Sequence, residues 1–280
     1  MLTVRQTLST AAAAAAILAG ACQSGEGDKQ AANSANAVQQ QTVPRLAIPV
    51  PKPPLDREQL LVASLRAATA FAAGADDPEL QRNLADRKFE FRIRFGCEGA
   101  GEPGANEPLG WTYDPKTRAL KVRAAPALSL KDAPVKAIAG EAFEAVEGFW
   151  LRRPWLLSPV CLRAQENAAA DSTSKGGPSA EPPPQNVGIA QFFTKSEPRT
   201  LRRSGRPYEA TTRLETDQPP TGGFDLVLAG RLVALPDGRV IACTRSPDGE
   251  RPACLISVEF GKVSIERADT HEQIAQWSSG

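Results

Sequence analysis

The sequence predicts a β-rich α+β fold, with antiparallel meander sheets covered by an N-terminal helix and braced by two disulfides. Three observations predict it. Phe89, Phe91, Ile93 and Phe95 alternate with Glu90, Arg92 and Arg94, the period-two pattern of a half-buried strand. Short apolar runs between Phe224 and Glu266 are punctuated by Pro236-Asp237-Gly238, Ser246-Pro247-Asp248-Gly249 and Gly261, the turn spacing of a meander. Ahead of them, Asp56–Gly74 repeats apolar residues at helical intervals.

The chain opens on a different kind of segment. Arg5 is the only charged side chain before Ala11, Ala11–Ala19 is uncharged and apolar, and Ala19-Gly20-Ala21 is a small-residue triplet ending at Cys22. Residues 1–21 read as a secretory signal peptide, outside the fold. The apolar run is too short to span a bilayer, which takes ~20 residues. Leu18-Ala19-Gly20-Ala21-Cys22 resembles the lipobox of bacterial lipoproteins, although Ala19 stands where that family usually has leucine, with Leu18 one position further out. The resemblance implies cleavage before Cys22, diacylation of Cys22 and acylation of the new amino terminus, so that the membrane is a partner through these chains. Gln23 is not the aspartate that commonly retains the family at the inner membrane. The resemblance therefore implies the outer membrane, at its periplasmic face. Ala19-Gly20-Ala21 also fits ordinary cleavage, which would give a soluble periplasmic protein.

Cysteine parity bears on that choice. The five cysteines are Cys22, Cys97, Cys161, Cys243 and Cys254. Ordinary cleavage leaves an unpaired thiol at the mature amino terminus of an exported chain. Acylating Cys22 leaves four, an even number suited to disulfides in an oxidising compartment. Cys243 and Cys254 lie equidistant from the centre of their turn, so an antiparallel hairpin places them face to face. By elimination Cys97 pairs with Cys161, although four cysteines permit three pairings.

Thirty-three basic residues less Arg5 leave thirty-two, against thirty-two acidic ones, so the mature chain is neutral overall. That argues against long-range steering toward nucleic acid. Apolar content is ordinary for a globular body, and the length allows one large domain or two small ones.

Residues 22–54 read as a lipidated cysteine followed by a disordered tether. The stretch is rich in Ala, Gln, Asn, Gly and Ser and ends in Pro44, Pro49, Pro51, Pro53 and Pro54. Residues 55–163 form a helix plus antiparallel β region. Asp56 caps the helix with Gln59 three residues on, Leu61, Leu65, Ala68 and Ala72 form its inward stripe widened by Leu60 and Phe71, and Gly74 ends it. A second helix starts at Asp77 and Pro78 and turns Leu80 and Leu84 to one face. The Phe89–Phe95 strand runs into Cys97. Leu109–Tyr113 and Ala119–Arg123 flank an Asp114–Thr117 turn, and Val146–Leu151 is a strand leading toward Cys161. Residues 164–186, with Ser172–Gly177 and Pro182–Pro184, read as a disordered linker or insertion. Residues 187–280 form an antiparallel β meander region: Phe224–Leu235, Arg239–Thr244, Ala253–Phe260 and Lys262–Glu266.

Chemistry is sparse. His271, the one histidine, has only Asp269 and Glu272 nearby in sequence, which is too few ligands for zinc. No G-x-S-x-G, P-loop or G-x-G-x-x-G occurs. Ser172-Thr173-Ser174-Lys175 matches S-x-x-K, but that chemistry needs the serine at a rigid helix start, and here it lies in low-complexity sequence. No catalytic residue, metal ligand or cofactor is assigned. Phe149, Trp150, Arg152, Arg153 and Trp155 form the candidate binding constellation, because Trp and Arg are enriched at binding hot spots and Arg grips carboxylates and phosphates. A second basic run, Arg199–Arg206, reads as a solvated loop. The expectation is a lipid-anchored, non-catalytic envelope binding or assembly module, its partner an envelope protein or glycan and not nucleic acid. The competing reading is a hydrolase of cell-wall glycan or peptide with two facing carboxylates ~5–10 Å apart.

Overall fold

Helix α1, Arg57–Ala72, is fixed by its caps. Asp56 Oδ1 accepts from the Gln59 N–H at 2.8 Å, and Gln59 Oε1 accepts from the Asp56 N–H at 3.1 Å. This is the reciprocal capping box the sequence predicts. Gly74, at φ 68°, takes the left-handed conformation after the helix ends. The inward face is rotated from the expected stripe: Leu60, Ala63, Ser64, Ala67 and Ala68 are buried, whereas Leu65 is 58% exposed and Ala72 also faces out. After Leu60 this face carries only Ala63, Ser64, Ala67 and Ala68, and side chains this small let the helix axis come close to the sheet. Asp77 Oδ1 accepts from the Leu80 N–H at 3.0 Å and starts helix α2, Pro78–Leu84, which buries Leu80 and Leu84 as expected.

These elements belong to a computed structural model that describes residues 52–102, 107–151, 187–198, 202–246 and 251–278. The strands are β1 Lys88–Phe95, β2 Leu109–Asp114, β3 Ala119–Ala124, β4 Ala145–Leu151, β5 Val187–Phe193, β6 Tyr208–Arg213, β7 Phe224–Leu232, β8 Ile241–Arg245, β9 Pro252–Arg267 and β10 Gln273–Ser278. A third short helix, α3 Ala133–Ala139, precedes β4. The architecture is β-rich α+β, with three helices, one mixed sheet and one antiparallel sheet.

Seven strands form the larger sheet in the order β1-β7-β9-β5-β4, with β8 and β10 also paired to β9. It is not a simple antiparallel meander. β5 runs parallel to β9, from Val187 opposite Cys254 to Ala190 opposite Ser257. β9 is also one continuous sixteen-residue strand that runs on through Gly261, where the sequence predicts a turn and the pairing with β7 instead skips one residue. The reason is that β9 is held along both edges: β8 and β5 flank its first half, β7 and β10 its second. Ser257 is the joint, donating its N–H to the Val240 carbonyl at 2.8 Å and accepting from the Val233 N–H at 3.0 Å. Strands from either side of residues 164–186 share this sheet, β1 pairing with β7 and β4 with β5. Residues 164–186 themselves, and the tether up to Pro51, lie outside the described residues.

The period-two reading of β1 holds. Phe89, Phe91, Ile93 and Phe95 are each at most 2% exposed and pack with Leu60, Leu226, Leu228 and Ile265. Full burial of side chains this size contributes about 1.5–3 kcal/mol each. The alternate residues make ion pairs on the other face: Arg94 forks onto Asp225 at 2.6 and 3.1 Å, and Arg92 reaches Glu266 at 2.7 Å and Glu90 at 3.0 Å. The smaller sheet, β2-β3-β6, joins the same core through Trp111, whose ring meets Phe224 edge-on at 5.6 Å while its Nε1 donates to the Gly96 carbonyl at 2.9 Å. A second cluster, including Leu128, Val135, Phe192 and Leu255, lies under α3.

Cys243 and Cys254 are register partners on β8 and β9 and form a disulfide, with Cα atoms 4.1 Å apart. This is the one bridge with both halves among the described residues. Cys97 is disulfide-bonded as well, but Cys161, its expected partner, lies outside the described residues, as does Cys22.

Candidate functional site

Strand β4 reads Ala-Val-Glu-Gly-Phe-Trp-Leu, so alternation puts Glu147 on the same face as Phe149 and Leu151, toward the core. A carboxylate there has to be hydrogen-bonded. Glu147 is 6% exposed. Its Oε1 accepts from the Tyr208 hydroxyl at 2.5 Å, and its Oε2 accepts from the Arg203 backbone N–H at 3.3 Å. Tyr208 opens β6, so this bond ties the smaller sheet to the larger. Burial, and then the charge of Glu147, hold the Tyr208 hydroxyl far above its ordinary titration range. Arg203 lies over the Tyr208 ring at 4.2 Å, and Trp277 meets that ring edge-on at 5.2 Å.

Beside this cluster a cleft of about 430 Å³ opens between the start of β4 and the end of β5, lined by Glu144, Glu147, Phe193, Arg202 and Ser204. Arg202 is anchored on every side but one. Its Nη1 donates to Glu144 at 2.5 Å, its Nη2 donates to the carbonyls of Thr194 and Glu197 at 2.7 and 3.2 Å, and the guanidinium sits 5.5 Å from the Phe193 ring centre. Only its Nε is buried without an acceptor.

Two carboxylates thus line one cleft, as a glycan hydrolase would require, but both are committed. Glycoside cleavage needs one carboxyl able to protonate the leaving oxygen and the other free to attack or to activate water. Both Glu147 oxygens accept bonds from the protein, and Glu144 is paired with Arg202. What this arrangement does chemically is cross-link β4, the turn after β5 and the start of β6. A second cleft of about 620 Å³ beside α2 is similarly committed. There Gln81 clamps α2 to β8 through the Val240 and Ile241 backbone, Asp77 caps α2 and pairs with Arg66, and Asp237 pairs with Arg239. The Leu80 N–H first, then Arg66, holds the Asp77 carboxyl below the usual carboxylate range.

The expected binding constellation is divided. Phe149 is 1% exposed in the main core, 6.3 Å from the Tyr208 ring. Trp150 is on the opposite face of β4, packed against the cluster under α3, and with Leu255, which comes nearest, its ring crowds the position a side chain at Gly188 would take. Arg152, Arg153 and Trp155 lie outside the described residues. Of the Arg199–Arg206 run, residues 199–201 lie outside the described residues and Ser204, Gly205 and Arg206 are exposed in a loop, whereas Arg202 keeps 9% of its side chain exposed and Arg203 stacks on Tyr208. The acidic residue on the Phe149 face of an otherwise apolar strand was the signal that could have found this site. His271 is exposed at positive φ in the turn before β10, and among the described residues no group of three or more His, Cys, Asp or Glu side chains could hold a metal. Compared with known proteins, the chain matches no family model, no curated protein and no solved structure.

Proposed function

We propose that this chain is a lipid-anchored envelope protein, held at the periplasmic face of the outer membrane through acyl chains on Cys22, whose body is a non-catalytic binding or assembly module for an envelope protein or glycan. The cross-strand Cys243–Cys254 disulfide carries the reading, because such bridges persist in oxidising compartments and are rare in reducing ones. A leader ending at a fifth cysteine agrees with it. The committed state of Glu144 and Glu147 favours binding or assembly over hydrolysis. No helix among the described residues is long and apolar enough to cross a membrane, so the proposed attachment rests on Cys22.

Several acyl chains on one residue give stable attachment, whereas a single chain is marginal. Replacing the acceptor, Cys22→Ser, is expected to shift the protein from the membrane fraction to the soluble periplasmic or uncut precursor pool. Retention of Cys22→Ser in the membrane fraction with a cut leader would overturn the anchor.

A further inference from the structure

Val62 and Leu65, at 61% and 58% exposed, are the only large hydrophobic side chains exposed among the described residues, and they lie one turn apart on the outward face of α1. With Thr69 and Ala72 they make a stripe at intervals of three, four and three. The Thr69 hydroxyl donates to the Leu65 carbonyl at 2.8 Å, which turns its polarity into the helix. Arg66, beside the stripe, is held onto Asp77. A surface helix ordinarily presents charge to water; Glu58, Gln59 and Arg66 do so on α1, with Glu58 one turn ahead of Val62, whereas the face from Val62 to Ala72 carries no charge.

The size of the stripe selects its occupant. From Val62 to Ala72 it runs about 15 Å along one helix. A stable protein interface needs about 800 Å² on each partner, which so short a stripe does not supply, so neither a second copy nor a freely diffusing protein is held by it. A lipid surface needs no such area if the chain is already attached there. Thirty-four residues separate Cys22 from Arg57, a span of at most about 110–120 Å. Val62 is five residues into α1, about 7.5 Å from the point where that chain joins the helix. We propose that the Val62–Leu65 face of α1 is a second contact with the leaflet that carries the acyl chains, seating the body against the headgroup boundary. This rests on the lipid-anchor reading.

The test uses full-length protein purified from membranes and reconstituted into vesicles of phosphatidylethanolamine and phosphatidylglycerol, with and without bromine on the acyl chains. Leu65→Trp places a reporter in the stripe, and Thr117→Trp places one in the exposed β2–β3 turn. The emission of the unsubstituted chain is subtracted for its native tryptophans. The tryptophan introduced at 65 is expected to shift to the blue and lose emission to the bromines, and the one at 117 to do neither. Emission at 65 indifferent to bromine overturns the contact, and a blue shift without quenching does too, since it signals a protein neighbour. Val62→Trp repeats the reading if Leu65→Trp does not fold. Intact mass of the same preparation separates the two failures. Acyl mass with no quenching removes the contact alone, and absent acyl mass removes both.

Discussion

Glu147 shows how a single residue sets the constraints around it. Buried on the core face of β4, it needs donors, and Tyr208 and Arg203 supply them. Tyr208→Phe leaves Oε1 buried without its partner and is expected to lower unfolding stability by about 1–3 kcal/mol in a urea titration. The same pair predicts a pH dependence. Tyr208 is raised in the folded body by burial first and by Glu147 second, while in the unfolded chain it titrates near 10. Below that pH both states keep the proton and the contribution is fully present. Above it the unfolded chain releases the proton and the folded one retains it, so stability falls as pH rises past about 10. Urea midpoints measured across that range are expected to fall more steeply in the unsubstituted chain than in Tyr208→Phe. On α1, Leu60→Ala is expected to cost about 2–5 kcal/mol and Leu65→Ala less than about 0.5, because the first is fully buried and the second faces out. Equal losses would contradict the observed helix face. The Asp56 cap was legible because capping is local. The rotation of α1 was not, because it depends on how near the sheet the helix lies.

At the scale of elements, β9 organises the body, and its local pattern misleads. Gly261 reads as a turn, but the pairing that carries the strand through it comes from β7 and β10, remote in sequence. β5, Val-Gly-Ile-Ala-Gln-Phe-Phe, is buried on both faces and lacks alternation, as a strand inside a sheet with a parallel neighbour should. α3 is only seven residues long, too short for helical periodicity to declare itself. β1 and the β2–β3 hairpin were legible because their evidence, period-two alternation and a turn at Asp114, lies within the segments themselves. The β7–β9 pair shifts register between Ala229 and Gly230, and a Cβ at Gly230 would collide with the Glu259 carbonyl. Gly230→Ala is therefore expected to destabilise by about 1–3 kcal/mol, the range for forcing extra volume into packed structure. The cross-strand bridge was legible from equidistance alone. Its loop spans eleven residues in sequence, and replacing Cys243 and Cys254 by alanine together is expected to cost about 3 kcal/mol by the chain-entropy account, read as a lower urea midpoint.

For the whole molecule, strands from both sides of residues 164–186 close one sheet, and the proposed amino-terminal attachment lies apart from that body in the sequence. Among the described residues several charged groups pair within the body: Arg94 with Asp225, Arg92 with Glu266 and Glu90, Arg202 with Glu144. The candidate site was the least legible part, because Glu147 and Tyr208 are sixty-one residues apart and meet only when the two sheets do. Intact mass of the mature protein recovered from membranes tests the central claim most directly. A chain beginning at Cys22, heavier by its acyl groups and with Cys97, Cys161, Cys243 and Cys254 unavailable to alkylation until reduced, is the result expected. A chain of unmodified mass, with its leader uncut and all five cysteines open to alkylation, would contradict it.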